Sequence, residues 1–196
     1  MLTMGGRRAV FLERDGVLNE ARNRVARPEE FAWRPGAIAA LGALSRAGWR
    51  LVVASGQPGI ARGLLGPAEY DNLTSWMRAE LARHGVALDG VYHCPHLPDA
   101  PLAAWCRQCD CRKPSPGLLR RAARDLKLDL SASVIVGPDA ADIAAGRAAG
   151  LAGCIRIAHG ADLAACASAG PAADFSCESL AEAAAWLIDH ERQLHA

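Results

Sequence analysis

Ala9–Asn19 reads A-V-F-L-E-R-D-G-V-L-N. Four apolar residues in a row are the pattern of a strand covered on both faces, as in parallel sheets. The run ends abruptly in Glu13, Arg14 and Asp15 and turns at Gly16. Side-chain alternation predicts that Glu13 and Asp15 leave the strand on one side while Arg14 points away. Two carboxylates converging where a strand gives way to a glycine turn suit a hard cation. In open α/β sheets that same edge is where ligands bind. An isolated Glu-x-Asp-Gly equally describes a strand ending in a solvated charged turn, so the decision passes to the rest of the chain.

Working outward, strand-like and helix-like runs alternate almost to the end, the pattern of a parallel sheet with helices on both faces. A polar loop, Glu20–Glu30, leads to a helix near Pro35–Ala47, with proline at its start and Gly48 as its stop. Trp49–Ala54 reads as the second strand and runs into S-G-Q-P-G. An amphipathic helix from Pro67 to His84 follows, closed by Gly85, and then a short strand, Gly90–His93. Cys94–Pro116 has no period and is rich in Cys, His and Pro, which marks it as an ordered loop insertion. Pro116–Leu126 and Asp139–Ala149 read as helices, and Ser133–Val136 and Gly153–Ile157 as strands. Asp174–Phe175 is a last short strand before a closing helix, Leu180–Leu194, and the alanine-rich Ala161–Ala173 reads as helix and loop.

Composition narrows the class. A chain of 196 residues can bury a full core as a single domain with a small insertion at 94–116. The 22 basic against 21 acidic side chains give no polyelectrolyte signature, so nucleic acid is not an expected partner. No apolar run approaches membrane-spanning length, and M-L-T-M-G-G-R-R lacks the core of a signal peptide. A cytoplasmic protein is the expectation. Seven cysteines, four of them between Cys94 and Cys111, read as metal binding in a reducing compartment and not as a disulfide framework.

The metal reading rests on Cys94-Pro-His96 and Cys109-Asp-Cys111. Three thiolates and an imidazole suit tetrahedral zinc, and a closed set of four leaves no position for catalysis, so the role is structural. Such an ion would pin a loop with too few apolar residues to pack itself. His93 and Cys106 lie near enough in sequence to compete as ligands. The alternative is a scatter of buried cysteines with one exposed histidine. Cys154 reads as a core residue, and Cys166 and Cys177 receive no role.

The segments F-L-E-R-D-G-V-L-N, S-G-Q-P-G-I-A-R-G, C-P-H, C-D-C-R-K-P and V-G-P-D-A-A-D, in that order, resemble the haloacid dehalogenase (HAD) superfamily. Within it they are most similar to the D-glycero-D-manno-heptose 1,7-bisphosphate phosphatase branch, neighbour to the histidinol-phosphate phosphatases. The zinc loop running into C-R-K-P is the most specific part, and the likeness covers residues 8–160. It implies a Rossmann-like HAD fold with no large cap domain, structural zinc, magnesium at the active site, and hydrolysis of a small phosphorylated sugar through a phospho-aspartate. It also implies roles. The opening carboxylate, at Glu13, attacks phosphorus, and Asp15 acts as general acid and then base. Ser55 hydrogen-bonds the transferring phosphoryl, and Lys113 neutralises its charge. Arg112 contacts a substrate phosphate, with Gln57 and Arg62 bordering the same pocket. A monomer is expected.

Three departures fall on the chemistry. The family has aspartate at the nucleophile position, where this chain has Glu13. Its Gly-Asp, whose aspartate holds magnesium, is here Gly137-Pro138. Gly56 stands where the nearest relatives have asparagine. Further out, beyond these three, Asn23-Arg24 replace a Gly-Tyr pair in the loop after the first motif. Glutamate moves the carboxylate out by one C–C bond, roughly 1.5 Å, and a misplacement of about 1 Å can cost ~10²-fold in rate. Magnesium is then left to Glu13, Asp15 and Asp139, a weakened set. Two functions stay open: a phosphatase of reduced activity, with Glu13 as an unusual nucleophile or as a base for water, and a pseudo-phosphatase kept for binding phosphate, sugar phosphate or a partner.

Overall fold

Alternation of strand and helix is realised as one six-stranded parallel sheet. The structure, a computed structural model, describes residues 7–22, 24–158 and 172–194. The strands are β1 (Ala9–Leu12), β2 (Arg50–Gly56), β3 (Gly90–Cys94), β4 (Val134–Gly137), β5 (Gly153–Ile157) and β6 (Phe175–Cys177), in the order β3-β2-β1-β4-β5-β6. Every neighbouring pair is parallel, with Phe11 opposite both Val52 and Ile135.

Alternate residues of the central strands feed two separate cores, which is why those strands read as unbroken apolar runs. Val10, Leu12, Leu51, Val53, Val134 and Val136 pack against α1 (Ala37–Arg46), α3 (Pro67–Arg83) and α6 (Leu180–Leu194). Ala9, Phe11, Val52, Ala54 and Ile135 pack against α4 (Gly117–Leu126) and α5 (Ala140–Ala149). In α3 the buried residues Tyr70, Leu73, Met77 and Leu81 follow helical spacing.

Several boundaries differ from the sequence reading. β2 runs on to Gly56 because Ser55 and Gly56 pair with His93 and Cys94 of β3. A single-turn helix, α2 (Pro58–Ala61), follows it, too short to show a period. The last strand starts at Phe175, since the Asp174 carboxylate turns back to accept the Cys154 amide at 2.7 Å. Within the expected polar loop Glu20–Glu30, Val25 and Ala26 are buried. Pro95–Pro116 forms no helix or strand, as expected of the loop insertion. The reading of Ala161–Ala173 as helix and loop, the position of Cys166 and that of Asn23 fall wholly or mostly outside the described residues.

Strand order fixes where a ligand can sit. The chain winds from β1 outward through β2 and β3, then returns to β4 on the other side, so β1 and β4 flank the reversal. Crevices form outside the carboxyl ends of strands at such a point. Glu13 follows β1 there, and Pro138 follows β4.

Candidate active site

A cleft of about 430 Å³ opens at this point, lined among others by Glu13, Asp15, Gly56, Arg112, Lys113, Pro138, Asp139 and Asp142. Four segments far apart in sequence meet in it. Lys113 Nζ lies 2.5 Å from Glu13 Oε2, contacts Asp142 Oδ1, and donates to the Ala54 carbonyl at 2.9 Å. The lysine side chain is 7% exposed, Glu13 10% and Asp142 3%. Burial pulls the Lys113 ammonium down, but Glu13 and Asp142 pull harder the other way, and it ends above the ordinary lysine value.

Glu13 is held from every side. Oε1 accepts the Arg14 amide at 2.9 Å and the Ser55 hydroxyl, and Oε2 accepts the Gly56 amide at 3.1 Å besides Lys113. Its own amide donates to the Val136 carbonyl at 3.0 Å, tying the end of β1 to β4. Asp15 is equally engaged. Oδ1 accepts from Arg14 Nε at 3.2 Å and Asn19 Nδ2 at 2.9 Å, and Oδ2 from Arg14 at 2.9 Å and Gln57 Nε2 at 2.8 Å.

Arg14 therefore does not point away from Asp15. The strand ends at Leu12, so the alternation rule stops before the acidic residues, and the loop folds back through Gly16 at φ +84°. Arg14 is 3% exposed, paired with Asp15, bonded to Gln57 Oε1 at 3.0 Å, and set 5.7 Å from the Tyr70 ring centroid. Burial pushes the Tyr70 hydroxyl up to about 12, with Arg14 pulling the other way. Gln57 sits inside the network, its amide donating to Asp15 and to Ser55 Oγ, and accepting from Arg14, so it orients its neighbours. Arg62 is exposed in an adjoining recess of about 250 Å³ that also holds Arg22 and Arg24. Arg112 reaches the main cleft while donating to the His96 carbonyl at 3.3 Å.

Two departures acquire a geometry. Pro138 packs on the turn, such that a Cβ added at Gly16 would lie 3.2 Å from its ring, and its carbonyl accepts Arg156 Nε at 3.1 Å. A Cβ added at Gly56 would meet nothing within 4 Å, so the position stands open toward the cleft. Asp139 is exposed beside Pro138, and its amide donates to Asp142 Oδ2 at 3.0 Å. Asp142 was legible as the second acid of G-P-D-A-A-D, whereas Arg14 and Arg34, which also border the site, carried no sign of it in the sequence.

The residues present do not form a magnesium site as they stand. The ion needs oxygens held open to it, whereas Glu13, Asp15 and Asp142 all direct their carboxylate oxygens at protein donors, and position 138 supplies no carboxylate.

The second cluster lies at the end of β3, two strands from β1. Donor atoms of Cys94, His96, Cys109 and Cys111 all fall within 4.8 Å of one another, with Cys94–Cys109 at 3.6 Å and His96 Nδ1–Cys111 at 3.3 Å. Burial pushes the Cys94 and Cys111 thiols up, and around Cys111 the other two cysteines add to it. A divalent cation among them would reverse that balance, which is what a metal-binding donor set looks like without its ion. His93 and Cys106 are not among the donors. His93 packs at a tilt against Tyr70, ring centroids 4.1 Å apart, and Cys106 is exposed and bonded to the Pro98 carbonyl at 2.9 Å. Cys154 is fully buried, as expected, and Cys177 is buried at the end of β6. The cluster is fastened to the active edge by the Gln57 amide donating to the Cys94 carbonyl at 2.8 Å, and Lys113 follows two residues after Cys111.

Comparison with known proteins agrees with this geometry. A HAD-hydrolase-like family model matches residues 110–183. A D-glycero-beta-D-manno-heptose-1,7-bisphosphate 7-phosphatase of Photorhabdus laumondii is 43% identical over 70% of this chain and 73% of its own length. From the same organism, a D-glycero-alpha-D-manno-heptose-1,7-bisphosphate 7-phosphatase is 35% identical over 78% of this chain and 84% of its own. Among solved structures, a D,D-heptose 1,7-bisphosphate phosphatase from B. bronchiseptica complexed with magnesium and phosphate superposes with a TM-score of 0.81, at 34% identity, over 93% of this chain and 99% of that one.

Proposed function

Because this chain belongs to the HAD family of D-glycero-D-manno-heptose-1,7-bisphosphate 7-phosphatases, we propose that it acts on a small sugar phosphate of that class with turnover far below its relatives'. The observation that carries the reading is the convergence of Glu13, Asp15 and Lys113 on one cleft at the sheet's reversal point, with Ser55 buried against Glu13. In this reading Glu13 attacks phosphorus or activates water, and Asp15, oriented by Arg14, Asn19 and Gln57, carries the proton to and from the leaving oxygen. Ser55 and Lys113 donate to the phosphoryl oxygens, while Arg112 and Arg62 meet the rest of the substrate.

The zinc-loaded Cys94/His96/Cys109/Cys111 cluster holds Lys113 in place and takes no part in the reaction. Magnesium is the expected ion of such chemistry, which neutralises charge on the phosphoryl group. Here Glu13 and Asp15 could reach it only by giving up present contacts, and Asp139 is exposed at the cleft wall, so no step is assigned to it. The remaining features are a single HAD-like domain with the zinc loop at 94–116, monomeric, cytoplasmic, and without nucleic-acid or membrane partners. No helix among the described residues is long and apolar enough to cross a membrane.

Phosphate release from heptose 1,7-bisphosphate, measured with malachite green, tests the reading. Slow release by the wild type, lost in Asp15→Asn, is expected; equal release by the two proteins would overturn it. A second reading, a pseudo-phosphatase that binds without turnover, is favoured by the committed oxygens of Glu13 and by Pro138. It predicts saturable binding of the bisphosphate with no release above the Asp15→Asn background.

A further inference from the structure

We propose that the Glu13 carboxylate is a built-in occupant of the phosphoryl subsite, filling the donor cradle an incoming phosphate needs. The proposal rests on the assignment of Ser55 and Lys113 as phosphoryl donors made above, and concerns what those donors hold when no substrate is bound.

The donors around Glu13 come from three segments and point at one spot. The Arg14 amide and Ser55 hydroxyl face Oε1, while the Gly56 amide and Lys113 ammonium face Oε2. Two backbone amides, a hydroxyl and a buried ammonium converging on anionic oxygens are the parts of a phosphoryl-binding cradle. In this chain they close on a side chain. The extra methylene makes that reach available, because an aspartate at the same position would end roughly 1.5 Å short of it.

Charge and tethering both favour the internal anion. Lys113 already balances two carboxylates, Glu13 and Asp142, so phosphate entering beside an undisplaced Glu13 would add negative charge to a cluster that is already net negative. Displacing Glu13 breaks one buried ion pair and three hydrogen bonds at once. Glu13 also competes without the entropy loss of a free ligand, since its attachment fixes a high effective concentration at the cradle. The cleft beyond it stays open for the sugar, with Arg112 and Asp139 on its walls. On this account the chain recognises the body of its ligand better than the phosphoryl group it should cleave.

Isothermal titration of inorganic phosphate into the full-length protein tests this, using the wild type, Glu13→Ala, Glu13→Asp and Glu13→Ala/Ser55→Ala, each checked for folding by circular dichroism. Expected is a Kd at least about tenfold lower in Glu13→Ala than in the wild type, with Glu13→Asp shifted the same way and the gain lost when Ser55 is also replaced. Should Glu13→Ala not fold, Glu13→Asp decides alone. Wild-type affinity equal to or tighter than that of the folded Glu13 variant overturns the inference and leaves the proposed function standing. Phosphate binding by neither protein overturns both, because the cradle would then not be a phosphoryl site.

Discussion

At Cys94, His96, Cys109 and Cys111 four ligand atoms face one another in a set that could hold a metal ion. Two residues beyond the last of them, Lys113 drives an ammonium between Glu13 and Asp142, and every cleft carboxylate it touches is already satisfied. One cluster has the ligand atoms to take in a metal. The other has closed on itself. The sheet edge joins the two through the Cys94 carbonyl and the Lys113 side chain, so the contrast is not between a sound region and a damaged one. The cysteine loop runs directly into the lysine, and the lysine pairs with an internal anion.

The contrast breaks if both clusters respond alike to added or removed cations. Extracting the metal from the cluster is expected to cost about 4 kcal/mol, the stabilisation given by a ligand at ~1,000 times its Kd, read as a lowered Tm after chelation and restored by zinc. Millimolar magnesium is expected to leave the Tm unchanged, and a magnesium shift as large as the zinc shift would erase the distinction. Replacing the internal cation is next in size. Lys113→Met leaves Glu13 and Asp142 buried without a partner, a loss of about 3 kcal/mol by denaturant titration, whereas the exposed pair Arg83–Glu80 should yield less than about 1 kcal/mol when Arg83 is removed.

Smallest is an acid effect at the join between the two regions. Burial, chiefly, holds His93 below its ordinary 6.5, so the folded state prefers the neutral ring. Its contribution is intact above 6.5 and lost as pH falls below that value toward the folded-state pKa. Stability measured from about pH 7.5 down to about pH 5 should fall less steeply in His93→Gln than in the wild type.

How much of this could be read beforehand differed between the same two regions. Each of the four cluster residues was legible, because Cys and His pairs at close spacing have few other reasons to occur. The buried strands were legible too, since burial on both faces leaves unbroken apolar runs such as Ala9–Leu12 and Val134–Val136. Arg14 was misplaced because strand alternation was carried past Leu12 into a turn. Gln57 looked like a substrate contact, yet its amide is absorbed by Asp15, Ser55 and Arg14. Pairing across ~100 residues, as between Glu13 and Lys113, leaves no local trace, and a methylene that fills a cradle looks on paper like one that merely misplaces a nucleophile.

The most direct measurement is initial-rate phosphate release from D-glycero-D-manno-heptose 1,7-bisphosphate with magnesium, comparing the wild type with Glu13→Asp/Pro138→Asp. Shortening residue 13 empties the cradle and position 138 regains a carboxylate, so the double variant should be faster by about 10²-fold or more. A wild type already turning over well above the Asp15→Asn background, and no slower than the double variant, would contradict the account.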